Sequence, residues 1–222
     1  MKMEMKDVIF WNVDTQKDFI LQTGKLYIDG AERIFANLFT LTQFATKKNI
    51  KVINTADYHT KNTKEISSNP DFKITFPEHC MAGTEGMEFI SATNPTLDKN
   101  YCIIGYEEIL NTTLETLVKQ KRNIVIHKDS FDVFVGNPHT ESILDILKPK
   151  IIVVYGVATD VCVDFAVKGL LAKGLLVIVI EDAIKGLSED NCKIALENWA
   201  KNGALLIDTI DLEDTLKEEL EE

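Results

Sequence analysis

Ile151-Ile152-Val153-Val154-Tyr155, running on through Gly156-Val157-Ala158-Thr159 to Cys162, is the stretch whose reading decides the fold. Five consecutive apolar residues, mostly β-branched, read as a strand buried on both faces, since a face in water would impose alternation with polar residues. A glycine turn and a helical pattern over 160–173 follow. Working outward, the same grammar recurs. Val8–Val13, Lys51–Thr55, Asn123–His127, Leu175–Ile180 and Ala204–Ile207 read as further strands. Helical patterns over Ala31–Lys48, Glu107–Gln120, His139–Leu147, Ser188–Asn202 and from Leu212 onward separate them. In the first of these, Ile34, Leu38, Leu41 and Ala45 share one face. Strand, helix, strand at this rhythm implies parallel pairing through right-handed crossovers. The expected fold is therefore α/β: a doubly wound, mostly parallel six-stranded sheet with helices on both faces, in a Rossmann-like three-layer arrangement. One connection breaks the rhythm. Residues 56–106 are irregular and hold three of the five prolines, and a long irregular loop inside a compact domain is usually functional.

The chain has 222 residues, read as one domain over 1–222, with 24 basic and 35 acidic side chains and a net charge of −11. Such a surface repels phosphate backbones and anionic lipid, so neither nucleic acid nor membrane is expected as a partner. No run approaches the roughly 18 apolar residues of a membrane span, and the start lacks the apolar core of a signal peptide. A cytoplasmic protein is expected. Its four cysteines, at 80, 102, 162 and 192, are too scattered for a disulfide framework and read as thiols. Assembly into a homo-oligomer stays open.

In open parallel sheets ligands bind beyond the carboxyl ends of the strands. Asp14 follows the first strand, Asp57 and His59 the second, and Lys128 the third, while Cys162 lies a turn beyond the fourth. If Thr159 or Asp160 caps the next helix, Cys162 sits in its first turn, where free N–H groups favour thiolate and can later hold an oxyanion. Asp160 would oppose that through its charge. Asp14, at the end of a buried strand, is desolvated and basic enough to accept a proton. Lys128 is placed to hold both as a compact positive charge. Asp57, His59 and, after nineteen intervening residues, the later His79 offer two imidazoles and a carboxylate, a donor set suited to a divalent transition metal. Each has a plainer reading alone: a cysteine packs as a small hydrophobe, a lysine snorkels, and a polar loop explains the histidines nearly as well. His127 and His139, like Cys80, Cys102 and Cys192, are read as structural.

Five stretches carry a resemblance: Val13–Phe19 (Val-Asp-Thr-Gln-Lys-Asp-Phe), Thr55–His59, Phe76–Thr84, Lys128–Phe134 and Gly156–Val163. In this order they resemble the isochorismatase-like cysteine hydrolases, and within them the nicotinamidase (pyrazinamidase) branch. The resemblance implies a catalytic triad of Asp14, Lys128 and Cys162, an oxyanion hole from the N–H groups of Ala158 and Cys162, and a cis peptide at Val157–Ala158. It further implies an amide substrate, nicotinamide, hydrolysed to nicotinate and ammonia through a thioester on Cys162. One divalent ion, zinc first with manganese or iron as alternatives, would be held by Asp57, His59 and His79, with a fourth ligand among Glu65, Ser67, Ser68 and Asp71. Phe19 matches a family aromatic beside the substrate ring. Asp164-Phe165-Ala166 departs from the family pattern, and Asn69-Pro70-Asp71-Phe72 has no counterpart in it.

Two other readings compete. A metal-free amidase of the same superfamily would act on a carbamoyl or ureido compound, against which Asp57, His59 and His79 speak. A non-catalytic redox sensor would use Cys162 alone, but no second cysteine lies near it in sequence.

Overall fold

The structure, a computed structural model, describes residues 3–221. Its centre is a seven-stranded sheet: β1 Val8–Val13, β2 Lys51–Asp57, β3 Tyr101–Ile104, β4 Asn123–Lys128, β5 Ile151–Val157, β6 Leu176–Lys185 and β7 Leu205–Ile207. The order is β3-β4-β2-β1-β5-β6-β7, and every neighbouring pair is parallel. The expected six strands are all present. The seventh, β3, corrects the expected count. It lies in the stretch read as loop, at the sheet edge, where Ile103 is exposed and only two of four residues are buried, so it carries no long apolar run.

Among the described residues there are eight α-helices: α1 Lys17–Ile20, α2 Phe35–Lys47, α3 Asn111–Gln120, α4 Val133–Gly136, α5 Thr140–Leu147, α6 Cys162–Ala172, α7 Glu189–Lys201 and α8 Leu212–Glu221. The helix expected from Glu107 begins only at Asn111, and the one expected from Ala31 opens as a 3-10 turn over Ala31–Ile34. Because side chains alternate along a strand, β1 feeds two cores. Ile9, Trp11 and Val13 join the layer of α3, α5, α6 and α7, with Leu114, Ile143, Val163 and Trp199. Val8 and Phe10 join that of α2 and α8, with Leu38, Leu41, Leu212 and Leu216. No helix among the described residues is long and apolar enough to cross a membrane.

From β1 the chain passes to β2, crosses to the edge at β3 and returns to lay β4 between β3 and β2, then runs outward through β5, β6 and β7 on the other side of β1. The strand order reverses between β1 and β5, and the crevice beyond their carboxyl ends is where such a sheet takes a ligand. Gly156 lets the two strands meet there. Its φ is 121°, and a Cβ would lie 2.0 Å from the carbonyl oxygen of Val13.

Candidate active site

Strand ends deliver the polar groups. Asp14, the first residue past β1, adopts φ 47°, a left-handed conformation rare for a residue with a side chain. Its N–H bonds the Thr55 carbonyl at 3.2 Å, and its Oδ1 accepts the Thr55 hydroxyl at 2.6 Å. Asp57 and Lys128 close β2 and β4 in direct register. Lys128, wholly buried, lies 2.9 Å from Asp14 Oδ2, bonds Asp57 Oδ1, and approaches Cys162 Sγ to 3.7 Å. The Asp14 contact is an ion pair by distance, but its angle is not that of a hydrogen bond. Asp14, Asp57 and Cys162 each offer an atom within 4.8 Å of the others. Three remote points of the chain thus meet around one ammonium group.

The charge balance follows from burial. Desolvation raises the Asp14 carboxyl above its ordinary range, and Lys128 offsets this only in part. Desolvation also acts on Asp57, yet Lys128 and the neighbouring imidazoles hold it well below the carboxylate range. Lys128 would lose its proton to burial alone, but Asp14 and Asp57 keep it well above the lysine range. Burial, with both carboxylates, pushes the Cys162 thiol well up. Desolvation is the largest of these causes; Lys128 opposes it and the two carboxylates add to it, so burial works against the thiolate that the helix position favours.

Cys162 is the first residue of α6, and its N-cap is Val161 without a side-chain cap, not Thr159 or Asp160. Asp160 points elsewhere, accepting the N–H groups of Leu187 and Ser188 at 2.8 and 3.0 Å. The Val157–Ala158 peptide is cis. Around the turn, Thr159 N–H bonds Lys185, while Val161 and Val163 N–H share the Ala158 carbonyl. Among the described residues the N–H groups of Ala158 and Cys162 find no such acceptor, which leaves two donors open beside the sulfur.

The loop after β2 folds back to bring the histidines together. His59 N–H bonds the Cys80 carbonyl at 3.1 Å and Ala82 N–H the His59 carbonyl at 2.8 Å. His59 and His79 Nε2 each lie 3.5 Å from Asp57 Oδ2. His79 Nδ1 meets the Pro77 carbonyl at 2.8 Å; a carbonyl only accepts, so Nδ1 carries a proton, and in the neutral ring Nε2 presents a lone pair. His59 is fully buried, and neither of its nitrogens has a partner. Lone pairs aimed at a carboxylate oxygen conflict unless a cation lies between them. These residues fit a divalent ion. Of the four further ligands considered, Glu65 is buried and lines the cavity, with Oε1 accepting Phe131 N–H at 2.7 Å. Asp71 is spent on a turn, accepting three N–H groups from Lys73, Ile74 and Thr75. Ser67 accepts the N–H of Asn69 at 3.1 Å, and Ser68 is exposed.

The cavity opens to solvent and is bounded by Asp57, Glu65, His79, Ala158 and Cys162. Phe19, 5.3 Å from the His79 ring, forms part of its wall. So do Leu26, Ile28, Phe76, Phe131, Val161 and Leu187, which sequence reasoning did not single out. Phe76 and Phe131 lie inside the quoted motifs; Leu26, Ile28 and Leu187 carry no local signal. His127 stacks on Tyr58 at 4.3 Å, and burial pushes its pKa down to about 4. His139 donates to the Glu107 carbonyl. Both stand outside the ligand set.

The chain is similar in sequence and in fold to known proteins. Residues 106–211 match the model of the isochorismatase domain. The chain is 25% identical over 189 residues to the nicotinamidase/pyrazinamidase of Mycobacterium tuberculosis, covering 83% of this chain and 90% of that protein. The crystal structure of a nicotinamidase from Bacillus subtilis superposes with a TM-score of 0.72 at 20% identity, over 91% of this chain and 99% of that one. A pyrazinamidase of Pyrococcus horikoshii, solved in complex with zinc, superposes at 0.70 with 21% identity, over 91% and 99%.

Proposed function

We propose that this chain, an isochorismatase-like hydrolase of amide bonds, converts nicotinamide to nicotinate and ammonia through a thioester on Cys162. The observation that carries the reading is the meeting of Asp14, Lys128 and Cys162 beside the unpartnered imidazole of His59. Asp14 accepts the thiol proton as Sγ attacks the carboxamide carbon. Its raised affinity for protons suits that role, because a base matched to the thiol transfers more readily. The developing oxyanion is received by the free N–H groups of Ala158 and Cys162. Asp14 then returns the proton to the leaving nitrogen, ammonia departs, and an acyl-thioester remains. Water gives a proton to Asp14, attacks the thioester and releases the acid, and the proton goes back to sulfur. Lys128 keeps two carboxylates and a sulfur together without taking the proton itself.

Asp57, His59 and His79 would hold a divalent ion, zinc by the chemistry of the donors, which supplies a Lewis-acid anchor for the pyridine nitrogen. Phe19 flanks the ring, and Glu65, buried and lining the same cavity, is the candidate for a fourth ligand. The relatives named for nicotinamide and pyrazinamide hydrolysis support the substrate class.

The test is ammonia release from nicotinamide, pyrazinamide and a ureido compound by the protein and by Cys162→Ala. Turnover on the pyridine amide is expected to be abolished in the variant, with nicotinamide binding retained. Full activity in Cys162→Ala ends the covalent mechanism. Preference for the ureido compound, with chelator without effect, transfers the site to a metal-free amidase.

A further inference from the structure

Among the buried side chains between Asp14 and Phe19 that the reaction leaves unused are Gln16 and Asp18. We infer that they are positioning residues for the metal ligands, Gln16 holding Asp57 and Asp18 holding the His79 segment. This rests on the reading of Asp57, His59 and His79 as ligands.

The need arises from the sheet. The last pair between β1 and β2 is Val13 with Thr55, so Asp57 extends past the end of β1 with a strand neighbour, β4, on one side only. On the open side Gln16 supplies a side-chain amide in place of a peptide. Its Oε1 accepts Asp57 N–H at 2.8 Å, and its Nε2 donates to the Asp57 carbonyl at 2.8 Å and to the Met87 carbonyl at 2.8 Å. Both backbone groups of the ligand-bearing residue are therefore fixed by one side chain. Asp18 does the same for the far loop. Its Oδ2 accepts the N–H of Cys80, the residue after His79, at 2.7 Å, and Oδ1 accepts Lys25 N–H at 3.0 Å. Gly86 packs against this carboxylate so closely that a Cβ would come within 2.1 Å of Oδ2. One short segment after β1 thus carries the base and also sets two of three ligands drawn from elsewhere in the chain.

Outer residues that orient metal ligands typically change metal affinity by about 10–100-fold when replaced. The experiment is Zn²⁺ affinity by chelator competition, with far-ultraviolet circular dichroism as the check on folding. It compares the parent with Gln16→Met, Asp18→Asn and Lys17→Ala. Lys17 lies between the two and ties Glu85 and Glu88 of the same loop at 2.8 Å without touching a ligand. Gln16→Met and Asp18→Asn should each bind zinc about 10–100-fold more weakly, and Lys17→Ala as the parent does. If Gln16→Met does not fold, Gln16→Glu, which keeps the acceptor for Asp57 N–H, takes its place with the same expectation. Parental affinity in the Gln16 and Asp18 variants, or an equal loss in Lys17→Ala, overturns the positioning role and leaves the ligand set standing. A parent that holds no zinc overturns the ligand set itself, and this inference with it.

Discussion

The Thr55 hydroxyl lies beneath Asp14 and donates to its Oδ1 at 2.6 Å. That bond favours the charged carboxylate, and with Lys128 it opposes the desolvation that raises the group. The sign of its removal follows. Thr55→Val keeps the shape and loses the donor, so Asp14 holds its proton to higher pH. A base must be unprotonated to accept the thiol proton, so the acid limb of kcat/KM should move upward in pH while the rate on the plateau changes less. A pH–rate profile on nicotinamide reads this directly. An acid limb that does not move would take the role of base away from Asp14. Asp57 gives no such limb, because Lys128 and the imidazoles hold it ionised far below the working range.

Between elements, β5 approaches β1 closely at Gly156. Gly156→Ala forces a side chain into φ 121° and onto the Val13 carbonyl. The conformation alone costs on the order of 1–3 kcal/mol, and the overlap adds to it. The expected outcome is a lower urea midpoint at unchanged m, with turnover falling further than stability, since β5 carries the turn that presents Ala158 and Cys162. Equal losses in both would mean that the strand spacing does not set the turn. Elements also explain what was legible in the sequence. Strands buried on both faces announce themselves as apolar runs, and each delivers its next polar residue to the same edge; hence Asp14, Asp57, Lys128 and Cys162 were readable. β3 was not, being a half-exposed edge strand of four residues, nor were α1 and α4, each a single turn with no period to detect. The N-cap of α6 was misread because Asp160, a good capping type, is spent on Leu187 and Ser188 instead. Gln16 was invisible as a clamp because its partners are backbone groups, and any sequence at 57 and 87 would supply them.

Across the whole molecule, Asp57 and His59 belong to the sheet and its first turn, whereas His79 belongs to a connection that runs to β3 with little regular structure. An ion bound by all three ties that connection to the sheet, and unfolding must release it. A ligand held by the folded state alone stabilises it by RT ln(1 + [L]/Kd), about 2.7 kcal/mol when free ligand is 100 times Kd. For a chain of this length that corresponds to about 5–11 °C in Tm, at roughly 2–4 °C per kcal/mol. Zinc-loaded protein should therefore melt higher than protein stripped with chelator by about that margin. His59→Ala separates the ion from the packing. The His59 imidazole makes no hydrogen bond, so its removal strands no hydrogen-bond partner. The variant should melt near the stripped parent and respond little to zinc or chelator. Were the variant still raised by zinc as far as the parent, the ion would be held elsewhere, and the orphaned imidazole would need another explanation.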